Sequence, residues 1–65
     1  MWNYRIVKDQ KKKIYGLHEV YYGEKGELSW TKNSMIGYFE TKKELIETLG
    51  MMLKDARKHT TLIIN

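Results

Sequence analysis

The sequence predicts an α+β fold: a three-stranded antiparallel meander followed by one helix packed on one face of the sheet, in the order β-β-β-α. Three observations predict it. The first half of the chain alternates in side-chain character with a period of two. A glycine-bounded charged segment, "GEKG" (Gly23 to Gly26), interrupts that alternation where a tight reversal belongs. The second half opens on a capping box and continues with apolar residues at helical spacing.

Taken in order, Trp2, Tyr4 and Ile6 alternate with Asn3, Arg5 and Val7, so residues 2–8 read as the first strand. "DQKKK" (Asp9 to Lys13) is polar and reads as a turn. "IYGLHEVYY" (14–22) is the second strand, after which glycine supplies the φ > 0 positions a reversal needs. Leu28 and Trp30 alternate with Glu27, Ser29 and Thr31, which makes 27–32 the third strand. "NSMIGYFE" (33–40) connects to "TKKE" (Thr41 to Glu44), where the Thr41 hydroxyl and the Glu44 carboxylate can take each other's backbone amides. Leu45, Leu49, Met52, Leu53 and Ala56 then fall on one stripe of a helix over about 42–58. Lys54, Arg57 and Lys58 lie near its negative end. Gly50, costing about 1 kcal/mol against alanine, reads as a point of close approach to the sheet. The β-branched tail 60–65 reads as a short fourth strand or an edge arm.

At 65 residues the expectation is a single domain, 1–65, burying only about 60% of the surface of its unfolded chain. Such chains gain stability from disulfides, a metal or a partner. There is no cysteine, and the two histidines, His18 and His59, give too few ligands for a structural zinc. Good packing or association is left. No run of about 20 apolar residues could span a bilayer, and "MWNYRIVKD" does not have the form of a signal peptide, so a cytoplasmic protein with no membrane partner is expected. Twelve Lys and Arg against eight Asp and Glu give a net charge of +4. That suits ordinary solubility and also admits nucleic acid or an acidic protein surface.

His18-Glu19 resembles a catalytic pair only in print. Neighbours on a strand point to opposite faces, so imidazole and carboxylate cannot meet; His18 reads as a half-buried sheet residue and Glu19 as a partner for a cation on the next strand. Glu44 and Glu47 are spaced i, i+3 on the helix surface, and Glu44 already belongs to the capping box. No nucleophile triad, phosphate loop or metal spacing occurs. No catalytic, cofactor-binding or metal-binding residue is assigned, and neither an enzyme nor a small-molecule substrate is expected.

The string "WNYRIVK…YGLHEVYYGEKGELSWTKN" resembles a group of small bacterial and phage proteins. They share WNYRI, a HEVYY strand running into a turn, a WT pair and a Leu-rich helix with a Met-Leu. The match is carried by Trp2 to Ile6, His18 to Tyr22, Trp30-Thr31 and Met52-Leu53, with Gly23 where the group tends to have Asp. It implies no activity. In outline the order is also similar to the N-terminal domain of HicB-type antitoxins, which binds a toxin protein, although the Pro-Asp-Leu-Pro-Gly segment of that family is missing. The arm-type DNA-binding domain of tyrosine recombinases also runs β-β-β-α, puts its sheet into the major groove, and often opens its helix with a phrase like Thr41 to Glu44.

The strand alternation raises one further expectation. Ile14, His18, Val20 and Tyr22 point one way and Tyr15, Leu17, Glu19 and Tyr21 the other, while one helix covers one face. The uncovered face would bind a protein, either a second copy in a homodimer or a heterologous partner in a regulatory, phage or defence setting. Trp2, Tyr15, Tyr21, Tyr22 and Trp30 are its contact residues, since aromatics supply most hot spots. The competing expectation is a DNA- or RNA-binding module using Arg5, Lys11, Lys12 and Lys13 with the sheet aromatics.

Overall fold

A computed structural model describes residues 1–64. Its elements are β1 (Trp2–Asp9), β2 (Ile14–Tyr22), β3 (Leu28–Trp30), β4 (Tyr38–Phe39) and α1 (Lys42–Lys58). The sheet is antiparallel, with β2 in the centre. β1 runs along one side of β2 from Trp2 opposite Tyr21 to Asp9 opposite Ile14. The other side of β2 is shared end to end: β3 pairs with Val20 to Tyr22 and β4 with Tyr15 and Gly16. The expected meander and helix are therefore present. The fourth strand comes from the connection rather than the tail. Residues 60–64 form no strand, and Asn65 lies outside the described residues.

Each turn is built by an acidic side chain standing in for missing strand pairing. At the β1–β2 turn the Asp9 Oδ1 accepts the amides of Lys11 at 2.9 Å and Lys12 at 3.1 Å, an Asx-type arrangement. Lys13, at φ 55°, takes the left-handed conformation that closes the turn, and its amide donates to the Asp9 carbonyl at 2.7 Å. At the β2–β3 turn Gly26 has φ 83°, the amide of Gly23 donates to the Glu27 carbonyl, and the Glu27 carboxylate takes the amide of Lys25.

Register and alternation assign the faces. Asn3, Arg5, Val7, His18, Val20, Tyr22, Leu28, Trp30 and Tyr38 share the first face; Trp2, Tyr4, Ile6, Tyr15, Leu17, Glu19, Tyr21 and Phe39 share the second. The connection 31–38 folds against the first. The Ser34 Oγ accepts the Leu17 amide at 2.9 Å, the Met35 amide donates to the Leu17 carbonyl, and Ser34 sits against Gly16 so closely that a Cβ there would lie 2.8 Å from Ser34 Cβ. Gly16 is glycine because that space is already occupied.

The helix begins as its sequence dictates. Thr41 is the N-cap, with its hydroxyl accepting the Glu44 amide at 3.1 Å. The return half of the capping box differs: the Glu44 carboxylate takes the Thr41 hydroxyl at 3.2 Å instead of the backbone amide. At the far end the amide of the C-cap, His59, donates to the Asp55 carbonyl.

The apolar stripe expected to pack on the sheet is buried only in part. α1 meets β2 and β4, and its buried and half-buried residues, Leu45, Thr48 and Leu49, all lie in its first half. Leu45 is completely buried, worth about 2 kcal/mol of apolar transfer, and Leu49 is half-buried, but Met52, Leu53 and Ala56 are exposed. Length is part of the reason: a 17-residue helix runs about 25 Å, whereas β4, the strand that precedes it, is two residues long. Gly50 is not a point of contact with the sheet either: a Cβ placed there meets nothing within 4 Å.

The outcome is an extended molecule with a small core. Val20 and Leu45 are the buried apolar residues and His18 the buried polar one. The accessible surface is 6065 Å², against about 4,400 Å² for a compact 7.8 kDa monomer. The radius of gyration is 14.6 Å, against about 11 Å for a compact domain of this length. No helix is long and apolar enough to cross a membrane among the described residues.

Candidate interaction surface

The second face ends in a cluster of aromatic rings. Trp2 and Tyr4 are two residues apart on β1 and therefore neighbours on one face; their rings meet edge to face with centroids 5.3 Å apart. Trp2 is directly opposite Tyr21 in register, with ring centroids 6.5 Å apart. All three are exposed, at 50%, 55% and 42%. The helix meets β2 and β4, and β4 pairs with β2 at Tyr15 and Gly16. Tyr21 lies five residues further along β2, about 17 Å away, so the cluster sits at the end of the sheet that the helix does not reach.

The five expected contact residues do not form one patch. Trp2 and Tyr21 come together with Tyr4, which the sequence reading omitted although its i, i+2 spacing from Trp2 gives the shared face. Tyr15 is on the same face but half-buried, with the Lys8 ammonium 5.5 Å from its ring centroid. Tyr22 and Trp30 belong to the opposite face because Tyr22 follows Tyr21 and Trp30 pairs with Val20. There the Tyr22 hydroxyl donates to Asn3 Oδ1 at 3.0 Å and accepts from Arg5 Nη1 at 3.4 Å. Trp30 is 56% exposed, beside a hollow of about 200 Å³ lined by Val7, Ile14, His18 and Tyr38 among others. That is smaller than the roughly 300 Å³ at which small-molecule pockets begin.

His18 and Glu19 point apart, as alternation requires. His18 is buried rather than half-buried: the 31–38 connection covers it, its Nδ1 donates to the Thr31 carbonyl at 2.8 Å, and the Tyr38 ring lies 6.4 Å away. Glu19 faces Tyr4 across the strand pair and not a cation. The ion pair among the described residues is Lys43–Glu47 on the helix, at 3.9 Å and exposed, where such contacts contribute little.

The basic residues are dispersed. Arg5 is mid-strand and turned toward Tyr22, while Lys11, Lys12 and Lys13 crowd the hairpin tip, at least about 13 Å further along β1. Their clearest electrostatic effect is local. The amides of Lys12 and Lys11, with the charges of both side chains, hold the Asp9 carboxyl below its usual value.

β1 is the outermost strand. The Tyr22 amide donates to the Met1 carbonyl, so Met1, Asn3, Arg5 and Val7 spend their backbone groups on β2. Trp2, Tyr4, Ile6 and Lys8 consequently turn theirs outward, and no strand pairs with that edge among the described residues. No protein-family model, curated protein or solved structure matches the chain.

Proposed function

We propose that the chain is a small non-enzymatic interaction module that binds another protein surface through the aromatic end of its sheet. The observation that carries this reading is the Trp2–Tyr4–Tyr21 cluster, exposed at the end of the sheet beyond the reach of the helix. Aromatic rings left in water on a rigid strand pair are costly to solvate and supply much affinity when covered. A non-catalytic role for His18 is supported by its Nδ1 proton, which is committed to the Thr31 carbonyl. Nucleic-acid binding is the second reading. The net charge of +4 favours it, and the separation of Arg5 from the lysine triplet weighs against it.

The test is site-specific photocrosslinking in the source cell, with a photoreactive phenylalanine at Tyr21 and a control at Glu24 in the β2–β3 turn. Protein adducts at Tyr21 that the control lacks support the reading. Adducts confined to nucleic acid, or equal yields at both positions, overturn it. In vitro, nucleic-acid binding would weaken steeply with salt, with a log–log slope of about −0.9 for each phosphate contacted.

A further inference from the structure

We infer that the partner is a second copy of this chain, joined through the free edge of β1 as an antiparallel β1–β1 pair. This rests on the interaction-module reading and names its occupant.

Three observations carry it. First, the edge is long and unguarded. An eight-residue outer strand with outward backbone groups at Trp2, Tyr4, Ile6 and Lys8 has no proline and no bulge, and Lys8 is the one cation among those outward positions. Such edges are templates for another strand. Second, the strand is self-complementary. A two-fold axis at Tyr4 places Tyr4 against Tyr4 of the second copy and Trp2 against Ile6 of the second copy, all with outward amides and carbonyls. The same register sets Asn3 against Arg5 of the second copy and leaves Lys8 outside the pairing. Shifting the axis to Arg5 would oppose two guanidinium groups, which disfavours that register. On the second face the chosen register extends the row from Tyr21 through Trp2 to Ile6 and Leu17 of the second copy. Third, the chain carries about 1,700 Å² of surface beyond that of a compact monomer, more than the roughly 800 Å² each partner contributes to a standard interface. Trp2 and Tyr4, on the strand that would pair, are 50% and 55% exposed.

Charge gives the pairing a signature. Two chains of +4 repel, so added salt tightens self-association, opposite in sign to nucleic-acid binding.

The test is sedimentation of the full chain from micromolar to millimolar concentration, with amide exchange read residue by residue. The expected result is a species of twice the 7.8 kDa chain mass. The amides of Tyr4 and Ile6 should gain protection as concentration rises, whereas those of Arg5 and Val7 should be protected throughout. Tyr4→Pro removes an outward amide that β2 does not use, and Tyr4→Lys sets two ammonium groups against each other; both should restore the monomer. Leu53→Lys on the helix should leave the dimer intact. A strict monomer at millimolar concentration overturns the inference while leaving a heterologous partner, which the Tyr21 crosslink reads independently. So do a dimer that survives both Tyr4 variants and unchanged exchange at Tyr4 and Ile6.

Discussion

The His18 Nδ1 donates to the Thr31 carbonyl at 2.8 Å, tying the centre of β2 to the residue just after β3. The bond holds the connection against His18 on the first face, and it is part-buried. His18→Ala would leave that carbonyl without its donor and open a cavity in a core whose apolar members are Val20 and Leu45. We expect a loss of about 2 to 4 kcal/mol, a large fraction of the stability of a domain this size. Urea unfolding followed by Trp fluorescence measures it, and a loss below 1 kcal/mol (about the smallest such effect resolved) would contradict the assigned bond.

The two glycines inside regular structure should respond oppositely to alanine. Gly16→Ala puts a methyl group 2.8 Å from Ser34 Cβ and 2.9 Å from His18 Nε2, and should destabilise by about 1 to 3 kcal/mol. Gly50→Ala meets nothing within 4 Å on an exposed helix and should stabilise by about 1 kcal/mol. Thermal unfolding of the two variants reads the sign directly.

Thr41→Ala removes the hydroxyl that holds the Glu44 amide and orients the Glu44 carboxylate. The expected cost is about 1 kcal/mol, visible as lowered helical dichroism at 222 nm, a wavelength that reports helix content (about three turns or more). Thr41→Ser, which keeps the acceptor, should stay close to the parent.

Asp9 sets an acid-sensitive turn. Its folded carboxyl titrates below the ordinary aspartate value, so the stabilisation it lends is present above that ordinary value and is lost as pH falls through the lower folded value. Asp9→Asn keeps a side-chain acceptor without the charge. Its melting temperature should lie below the parent at neutral pH, and the gap should close in acid below the ordinary carboxylate range. A gap independent of pH would refute the charge-based account.

Much of this architecture was legible in the sequence because its signals are local. Period-two alternation fixed β1 and β2, and the Thr41 to Glu44 cap fixed the start of α1. β4 was not legible: Tyr38 and Phe39 form two residues of strand only because β3 stops at Trp30 and leaves Tyr15 and Gly16 unpaired, a non-local vacancy. The stripe Leu45 to Ala56 marked a helix face correctly, but periodicity cannot say how far a sheet extends beneath it. Splitting the aromatic set needed register: Tyr21 and Tyr22 are adjacent in the chain and on opposite faces of the sheet, while Tyr4 joined the cluster through Trp2.

The projecting half of α1 divides the molecule into two cooperative units. The turns around Leu45 melt with the sheet because they share its core. Gly50 to Lys58 is a nine-residue segment, shorter than the roughly 12 to 15 residues at which isolated helices become even marginal in water. Its hydrogen bonds are expected to open without disturbing the sheet, so amide exchange along α1 should form a gradient, slow at Leu49 and fast by Arg57. One continuous helix thus spans order shared with the sheet and order that a neighbour would have to supply.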